Sequence, residues 1–218
     1  MIYTDRKLTL GSLFDGIGGF PYAGLFFGIE PLWASEIHPA TVSVTKRHFP
    51  MMAHVGDITG LNGAALPPVD IITFGSPCQG LSLAGQRRGL ADPRSGLFME
   101  AIRIIREMRA ATNEKYPQMA LWENVPGALS SAGGLDFKAV LEAFTESKIP
   151  IPQSGKWANA GMVRGRGVSF AGGLRRPLHP CGLFQRTEQK MLIFALDCAI
   201  IFKGRFVFHN CAYESETS

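Results

Sequence analysis

The amino-acid sequence predicts an α/β protein built on a doubly wound, mostly parallel β-sheet. Short apolar runs alternate with amphipathic segments over the first 150 residues, which is typical of parallel strands joined by crossover helices. A chain of 218 residues can bury one domain of this kind, and 46% apolar with 18% charged residues indicates a globular chain. We therefore expect an α/β domain over residues 1–150 and an incomplete, glycine-rich region over 151–218.

The first predicted strand covers residues 8–14 and enters a glycine-rich turn. A helix follows to about Phe27, where Gly28 is expected to end it. Pro21 fits this helix only in its first turn, because the N–H that proline lacks would have no intrahelical partner there.

The elements after the first helix alternate in the same way. Residues 95–111 place their apolar side chains at the spacing of one helical face, whereas the runs interpreted as strands are short. In order, the sequence predicts a strand over 31–36, a helix over 39–48, strands over 52–55 and 69–74, a helix over 95–111, a strand over 118–123 and a helix over 135–147.

The sequence changes character from about residue 153. Prolines stand at 177 and 180, and we expect loops with at most short strands. Residues 193–201 could form a strand, but their pattern indicates no partner. The C-terminal part is therefore predicted to be irregular. Glycines recur throughout it, at 155, 161, 165, 167, 172 and 173.

The charge balance is mildly basic. With 22 Lys and Arg against 18 Asp and Glu, the net charge of +4 permits a nucleic-acid partner without establishing one. The arginines cluster, however, and Arg87, Arg88 and Arg94 follow Cys78 closely. Such a cluster is either a solvated surface or a phosphate contact, since a guanidinium matches phosphate geometry. Its position beside the cysteine favours phosphate contact.

The four cysteines indicate neither disulfides nor a metal site. Cys78, Cys181, Cys198 and Cys211 form no CxxC pair and no spacing typical of metal ligands. Since no basic-then-apolar leader opens the chain, we expect a reduced, cytoplasmic setting. The most apolar stretch, 191–202, contains an aspartate and is shorter than the ~20 residues that cross a bilayer, so no membrane segment is predicted.

Cys78 lies in a loop directly after the predicted strand 69–74. Ligands of open α/β sheets bind beyond the carboxyl ends of the strands, so a thiol here can face a substrate. A lone cysteine is otherwise often a buried structural residue. Glu36 ends another predicted strand, where a carboxylate either accepts bonds from ribose hydroxyls or serves as a helix-capping or surface acid. The turn over 16–19 departs from GxGxxG, which disfavours a nicotinamide dehydrogenase.

Several motifs taken in order resemble one family. They are FDGIGG over 14–19, Glu36, Asp57, FGSPCQGLSLAGQRRGL over 74–90 and Glu-Asn-Val over 123–125. This set resembles the DNA (cytosine-5)-methyltransferase family in its bacterial and phage form. The resemblance covers about residues 8–172. It implies a Rossmann-like fold of the kind that S-adenosylmethionine-dependent methyltransferases share, in a restriction-modification or phage setting.

The resemblance implies that residues 1–150 form a catalytic domain that binds S-adenosylmethionine. By this resemblance the glycine turn holds the amino-acid end of the cofactor and Glu36 holds its ribose. Asp57 and Ile58 contact the adenine ring. The turn residues so implied are Phe14, Asp15, Gly16, Gly18 and Gly19.

The resemblance also implies roles for Cys78 and Glu123. A thiolate that adds to carbon 6 of cytosine activates carbon 5 for methylation, and Glu123, expected in the loop after the fifth strand, supplies an acid near ring nitrogen 3. The alternative for Glu123 is a solvated strand-end glutamate. The cytosine must leave the duplex to reach the thiol, and a loop over 79–88 would close over it. Residues expected to shape or touch the substrate are Pro77, Gln79, Ser82, Arg87, Arg88 and Asn124.

The resemblance ends at about residue 171. Family members continue with a Gln-x-Arg-x-Arg segment, a target-recognition region and a Gly-Asn segment, of which this chain shows at best a trace of the first, at 185–190. The chain looks truncated or altered there, and a shifted reading frame is one hypothesis. We expect a monomeric enzyme acting on double-stranded DNA, alone or with a separate chain that supplies target recognition. The alternatives are an inactive remnant that retains cofactor or DNA binding and an RNA cytosine-5 methyltransferase.

Overall fold

A computed structural model describes most of the first 155 residues and three strands beyond them. The described residues are 6–76, 93–124, 128, 130–155, 157, 160–164, 169–173 and 190–195. The strands are β1 (Thr9–Leu13), β2 (Glu30–Ser35), β3 (Ala53–His54), β4 (Ile71–Phe74), β5 (Met119–Asn124), β6 (Ala160–Arg164), β7 (Ser169–Gly173) and β8 (Lys190–Ala195). The helices are α1 (Gly19–Leu25), α2 (Pro39–His48), α3 (Pro93–Ala111) and α4 (Leu135–Thr145), with 3₁₀ turns at Ile58–Gly60 and Ser131–Gly134.

Strands β1 to β5 form the parallel part of the sheet. The order across the sheet is β3-β2-β1-β4-β5-β8-β7-β6, and each neighbouring pair among the first five strands is parallel. The chain runs outward from β1 to β3 and then resumes at β4 on the other side of β1. This reversal creates a crevice beyond the carboxyl ends of β1 and β4, where open α/β sheets bind ligands. The predicted doubly wound class is confirmed.

The predicted elements of the α/β region occur in the predicted order. Helix α2 has the expected bounds, and the other elements differ from expectation by one or two residues at an end. Helix α1 ends at Leu25, and Gly28 follows with a φ of +69°, a left-handed conformation of the kind that ends helices. In the part of the chain that the structure describes, no helix has the length and apolar character needed to cross a membrane.

Beyond residue 155 the described strands extend the sheet in an antiparallel sense. Strand β8 pairs with β5 from Met119↔Ala195 to Asn124↔Lys190, and β7 and β6 follow in turn. These strands are short, as the sequence predicts for this region. The sequence indicated no partner for 193–201, and the strand found there begins earlier, at Lys190. Its partner could not be read locally, since β5 lies about seventy residues away along the chain.

An aromatic cluster lies behind the ends of β4 and β5. Phe74 and Trp122 are fully buried, and the ring of Phe98 from α3 lies 6.2 and 5.7 Å from theirs, between centroids. Phe144 from α4 lies 6.0 Å from Phe98. Each large apolar side chain buried in this way stabilises the fold by about 1.5–3 kcal/mol. The strand ends that border the crevice therefore rest on a rigid part of the core.

Candidate active site

The turn after β1 has an unusual backbone. Phe14 adopts a φ of +52°, and Gly16 and Gly18 follow with φ of +58° and +86°. A non-glycine residue in the left-handed region is uncommon and is often found at functional sites. A Cβ added to Gly18 would lie 2.8 Å from Cε2 of Phe49, so this position accepts only glycine without rearrangement. The turn therefore brings bare backbone to the edge of the crevice.

Asp15 is a buried acid inside this turn. Its side chain is 6% exposed, and neither carboxyl oxygen has a hydrogen-bond partner. Its pKa is raised to about 6, mainly by burial and to a lesser extent by the charge of Glu36. The Ser12 hydroxyl acts in the opposite direction without reaching hydrogen-bonding geometry. A buried carboxyl without a partner destabilises the fold on its own. The sequence predicted Asp15 as a cofactor residue but did not predict its burial.

Glu36 joins the turn to the end of β2. Its Oε2 accepts a 2.8 Å hydrogen bond from the Gly16 amide, and its Oε1 accepts from the amides of Ile37 and His38, both at 2.8 Å. The amides of residues 37 and 38 lead into α2, so the carboxylate also supports the entry to that helix. The structure thus places Glu36 just after β2 and beside the glycine turn, and the same side chain makes the contact at the entry to α2.

Asp57 and Ile58 follow β3 and differ in exposure. Asp57 is exposed, and its Oδ1 accepts a 2.9 Å bond from the Thr59 amide at the start of a 3₁₀ turn. Ile58 is 3% exposed and packs in the main core. Its carbonyl accepts a 3.1 Å bond from the Arg103 guanidinium. Of the two residues predicted at the adenine, Asp57 is the one whose side chain reaches the surface.

Ser76 lies just beyond β4 and is bound to β5. The Trp122 indole Nε1 donates to the Ser76 hydroxyl at 3.0 Å, and the Asn124 amide donates to the Ser76 carbonyl at 3.4 Å. Glu123 and Asn124 are the last two residues of β5. The expectation that Glu123 lies in the loop after this strand was wrong, because its backbone still pairs with β8. The sequence also did not predict the roles of Ser76 and Trp122; the available signal was that a buried indole needs an acceptor.

Glu123 is a partly buried acid against the backbone of β4. Its Oε2 lies 2.9 Å from the position that a Cβ on Gly75 would take. Burial raises the pKa of the Glu123 carboxyl above its ordinary value. A carboxyl of this kind keeps its proton to a higher pH than a solvated one and can donate it. The environment therefore differs from that of a fully solvated strand-end glutamate.

Several predicted substrate residues lie outside the described residues. The predicted nucleophile, Cys78, is one of them, and Ser76 is the last described residue before it. The others in this position are Pro77, Gln79, Ser82, Arg87 and Arg88.

The chain is similar in sequence to known methyltransferases. The family model described as C-5 cytosine-specific DNA methylase matches residues 8–148. A protein of Escherichia phage P1 named DNA N-6-adenine-methyltransferase is 33% identical over 204 residues, which cover 88% of this chain and 26% of that protein. Type II methyltransferase M.HhaI of Haemophilus parahaemolyticus is 33% identical over 145 residues, 65% of this chain and 42% of its own.

A solved structure shares the fold. The S. pombe Dnmt2 methyltransferase superposes with a TM-score of 0.55 at 19% identity and covers 92% of this chain and 52% of its own. The 88% share aligned with the phage P1 protein exceeds what residues 1–171 alone could supply, so that likeness continues past the point where the motifs end. The chain spans about a quarter to three fifths of the length of the curated relatives that it matches. With most of its length matched by the family model, the chain belongs to the C-5 cytosine-specific DNA methylase family.

Proposed function

We propose that this chain methylates carbon 5 of cytosine in double-stranded DNA, with S-adenosylmethionine as the methyl donor. One observation supports this most directly: Ser76, two residues before Cys78, is bonded to the residues on either side of Glu123. The strand that precedes the predicted nucleophile in the sequence and the strand that carries the predicted acid are therefore neighbours in the sheet. The family itself implies both the DNA substrate and the methyl donor.

The residues at the ends of β1 to β3 fit the proposed cofactor. Gly16 and Gly19 have no heavy atom within 4 Å of where a Cβ would lie, so their backbone borders open space. Asp15 supplies a negative charge buried inside the turn, which would favour the ammonium group of the amino-acid end from below the surface. Glu36 supplies acceptors for ribose hydroxyls and Asp57 one for the adenine amine. When bound, S-adenosylmethionine supplies an electrophilic methyl group on its sulfonium.

Cys78 and Glu123 then divide the chemistry at the base. The Cys78 thiolate forms a bond to carbon 6, and the displaced electron pair of the ring moves towards nitrogen 3 and carbon 5. Glu123, whose pKa is raised by burial, donates a proton at nitrogen 3 and limits the build-up of charge. Carbon 5 would take the methyl group as the methyl–sulfonium bond breaks, which would leave a neutral thioether. The carbon 5 proton then leaves to a base, the bond between the Cys78 sulfur and carbon 6 breaks, and nitrogen 3 returns its proton to Glu123. The thiolate and the aromatic ring are both restored.

Access to the target carbon requires that the cytosine leave the duplex. We assign contacts with the flipped base and its phosphates to Pro77, Gln79, Ser82, Arg87 and Arg88, and the shaping of the pocket to Asn124. The chemistry needs a reduced Cys78, which agrees with the cytoplasmic setting proposed from the cysteine pattern. We propose a monomer that works alone or with a separate chain supplying target recognition.

The test is transfer of labelled methyl groups from S-adenosylmethionine to mixed-sequence duplex DNA. We expect incorporation by the wild-type chain and by the control Cys181→Ala, and none by Cys78→Ala. Incorporation that survives in Cys78→Ala would contradict the covalent mechanism. Incorporation into transfer RNA but not DNA would reassign the substrate, and no incorporation by any variant would identify an inactive remnant.

A further inference from the structure

The end of β4 is fastened to β5 by two hydrogen bonds from alternate residues of β5. The indole of Trp122 donates to the side chain of Ser76, and the amide of Asn124 donates to its carbonyl. All three residues are buried, with exposed fractions of 0% for Trp122, 4% for Ser76 and 3% for Asn124. Water therefore does not compete for these groups, and the bonds hold one geometry.

The core determines where the indole N–H points. The Trp122 ring packs edge-on against Phe98 at 5.7 Å, and Phe74 is its register partner on β4. A buried indole N–H needs an acceptor, because a buried donor without a hydrogen bond destabilises the fold. Ser76 supplies that acceptor. The position of Ser76 is thus set by the core behind the strands.

Glu123 lies on the opposite face of the same strand. Successive side chains of a strand point to opposite faces, so Trp122 and Asn124 share one face and Glu123 occupies the other. Its carboxylate rests against Gly75, where a Cβ would be 2.9 Å from Oε2. One short segment, Gly75 and Ser76, therefore contacts the acid on one face and the indole on the other.

We propose that Ser76 and Trp122 are a positioning pair that holds the end of β4, from which the chain continues to Cys78, beside Glu123. The proposal rests on the function proposed above. Cys78 follows Ser76 by two residues, which limits the distance between their Cα atoms to about 7 Å. Fastening Ser76 to β5 therefore fixes the point from which the chain continues to Cys78. Neither member of the pair touches the substrate, and both act through Cys78 and Glu123.

The test measures the electrostatic coupling between the thiol and the acid without any methyl transfer. The rate of Cys78 alkylation by iodoacetamide is followed against pH by peptide mass spectrometry, in the full chain without DNA. A carboxylate close to a thiol disfavours the thiolate, so Glu123→Gln should lower the pKa of Cys78 by about 1. That difference reports how close the two groups lie.

The same difference is then measured in variants of the pair. In Ser76→Ala and in Trp122→Phe, we expect Glu123→Gln to lower the pKa of Cys78 by less than about half as much, because coupling weakens with distance. Ser76→Thr keeps a hydroxyl and should retain the coupling. The matched control is Trp33→Phe: Trp33 is equally buried, and its indole donates to the Pro67 carbonyl at 2.9 Å. We expect the full coupling there.

Two results would overturn the proposal. Equal coupling in all backgrounds would mean that the pair only stabilises the fold, and no coupling in the wild-type chain would place the thiol out of reach of Glu123. If Trp122→Phe does not fold by circular dichroism, the contrast between Ser76→Ala and Ser76→Thr decides alone. If the wild-type chain transfers no methyl groups but its Cys78 and Glu123 are still coupled, the proposed function is contradicted and the positioning role is not.

Discussion

The two halves of the carboxyl edge of the sheet are built differently. At the ends of β1 and β2, Glu36 binds three backbone amides, the farthest of them twenty residues away along the chain. At the ends of β4 and β5, the bonds run from side chains of β5 to Ser76, 46 and 48 residues away. The first half is held by local backbone contacts and the second by contacts through the core. A change in the first half therefore acts through the turn itself, whereas a change in the second acts through packing.

Each half also holds an acid with a raised pKa. Asp15 is enclosed in the glycine turn with no hydrogen-bond partner, and Glu123 is partly buried beside Gly75. In both cases burial is the first cause of the raised pKa. Perturbed acids of this kind cluster at functional sites. The two acids differ in their surroundings, because Asp15 is buried without a hydrogen-bond partner and Glu123 is only partly buried.

The largest effect is expected from Glu123→Gln. Loss of a positioned acid should lower the single-turnover rate of methyl transfer by about 10²–10⁴-fold, with cofactor binding unchanged because Glu123 belongs to the other half of the edge. The control is Glu30→Gln, since Glu30 is exposed at the start of β2. If Glu123→Gln lowered the affinity for S-adenosylmethionine as much as it lowered the rate, the division into two halves would be contradicted.

An intermediate effect is expected at the glycine turn. In Gly18→Ala, the φ of +86° and the 2.8 Å approach to Phe49 should lower the free energy of unfolding, by about 1–3 kcal/mol. Gly19 begins α1 and borders open space, so Gly19→Ala should leave stability unchanged or raise it by up to about 1 kcal/mol.

The matched measurement is binding of S-adenosylmethionine by titration calorimetry beside urea unfolding. Gly19→Ala should bind S-adenosylmethionine more weakly although it is stable, because its new methyl group would occupy the open space beside the glycine turn. Wild-type affinity in Gly19→Ala would remove Gly19 from the proposed cofactor site.

The last effect, which disappears at low pH, is expected from Asp15→Asn. The pKa of Asp15 is about 6 in the folded chain, and the ordinary value of 3.8 applies to the unfolded chain. Above pH 6 the folded chain must hold a buried charge, which destabilises it by up to about 3 kcal/mol, and below about pH 4 this penalty is gone. The variant should therefore be more stable than wild type at pH 8 and equally stable at pH 4. Urea unfolding at pH 4, 6 and 8 checks this, and a difference that does not change with pH would contradict it.

The sequence indicated more of the local structure at the ends of β1 and β2 than at the ends of β4 and β5. The turn over 14–19 and Glu36 could be placed because a glycine turn and a strand-end carboxylate show themselves within a few residues. The burial of Asp15 could not, since it depends on what surrounds the turn in three dimensions. Ser76 and Trp122 carry no local sign of their contact, because a serine before Pro-Cys and a tryptophan in a strand each have many ordinary explanations.

By itself, the sequence determined the alternation of strands and helices, the order of the motifs and hence the family, because period and turn chemistry act over short stretches of chain. Only the tertiary structure decided that β5 continues to Asn124, that β8 pairs with it and that Trp122 fastens Ser76. The physical reason is that burial and strand pairing join residues far apart along the chain. Their energies depend on which groups leave water together.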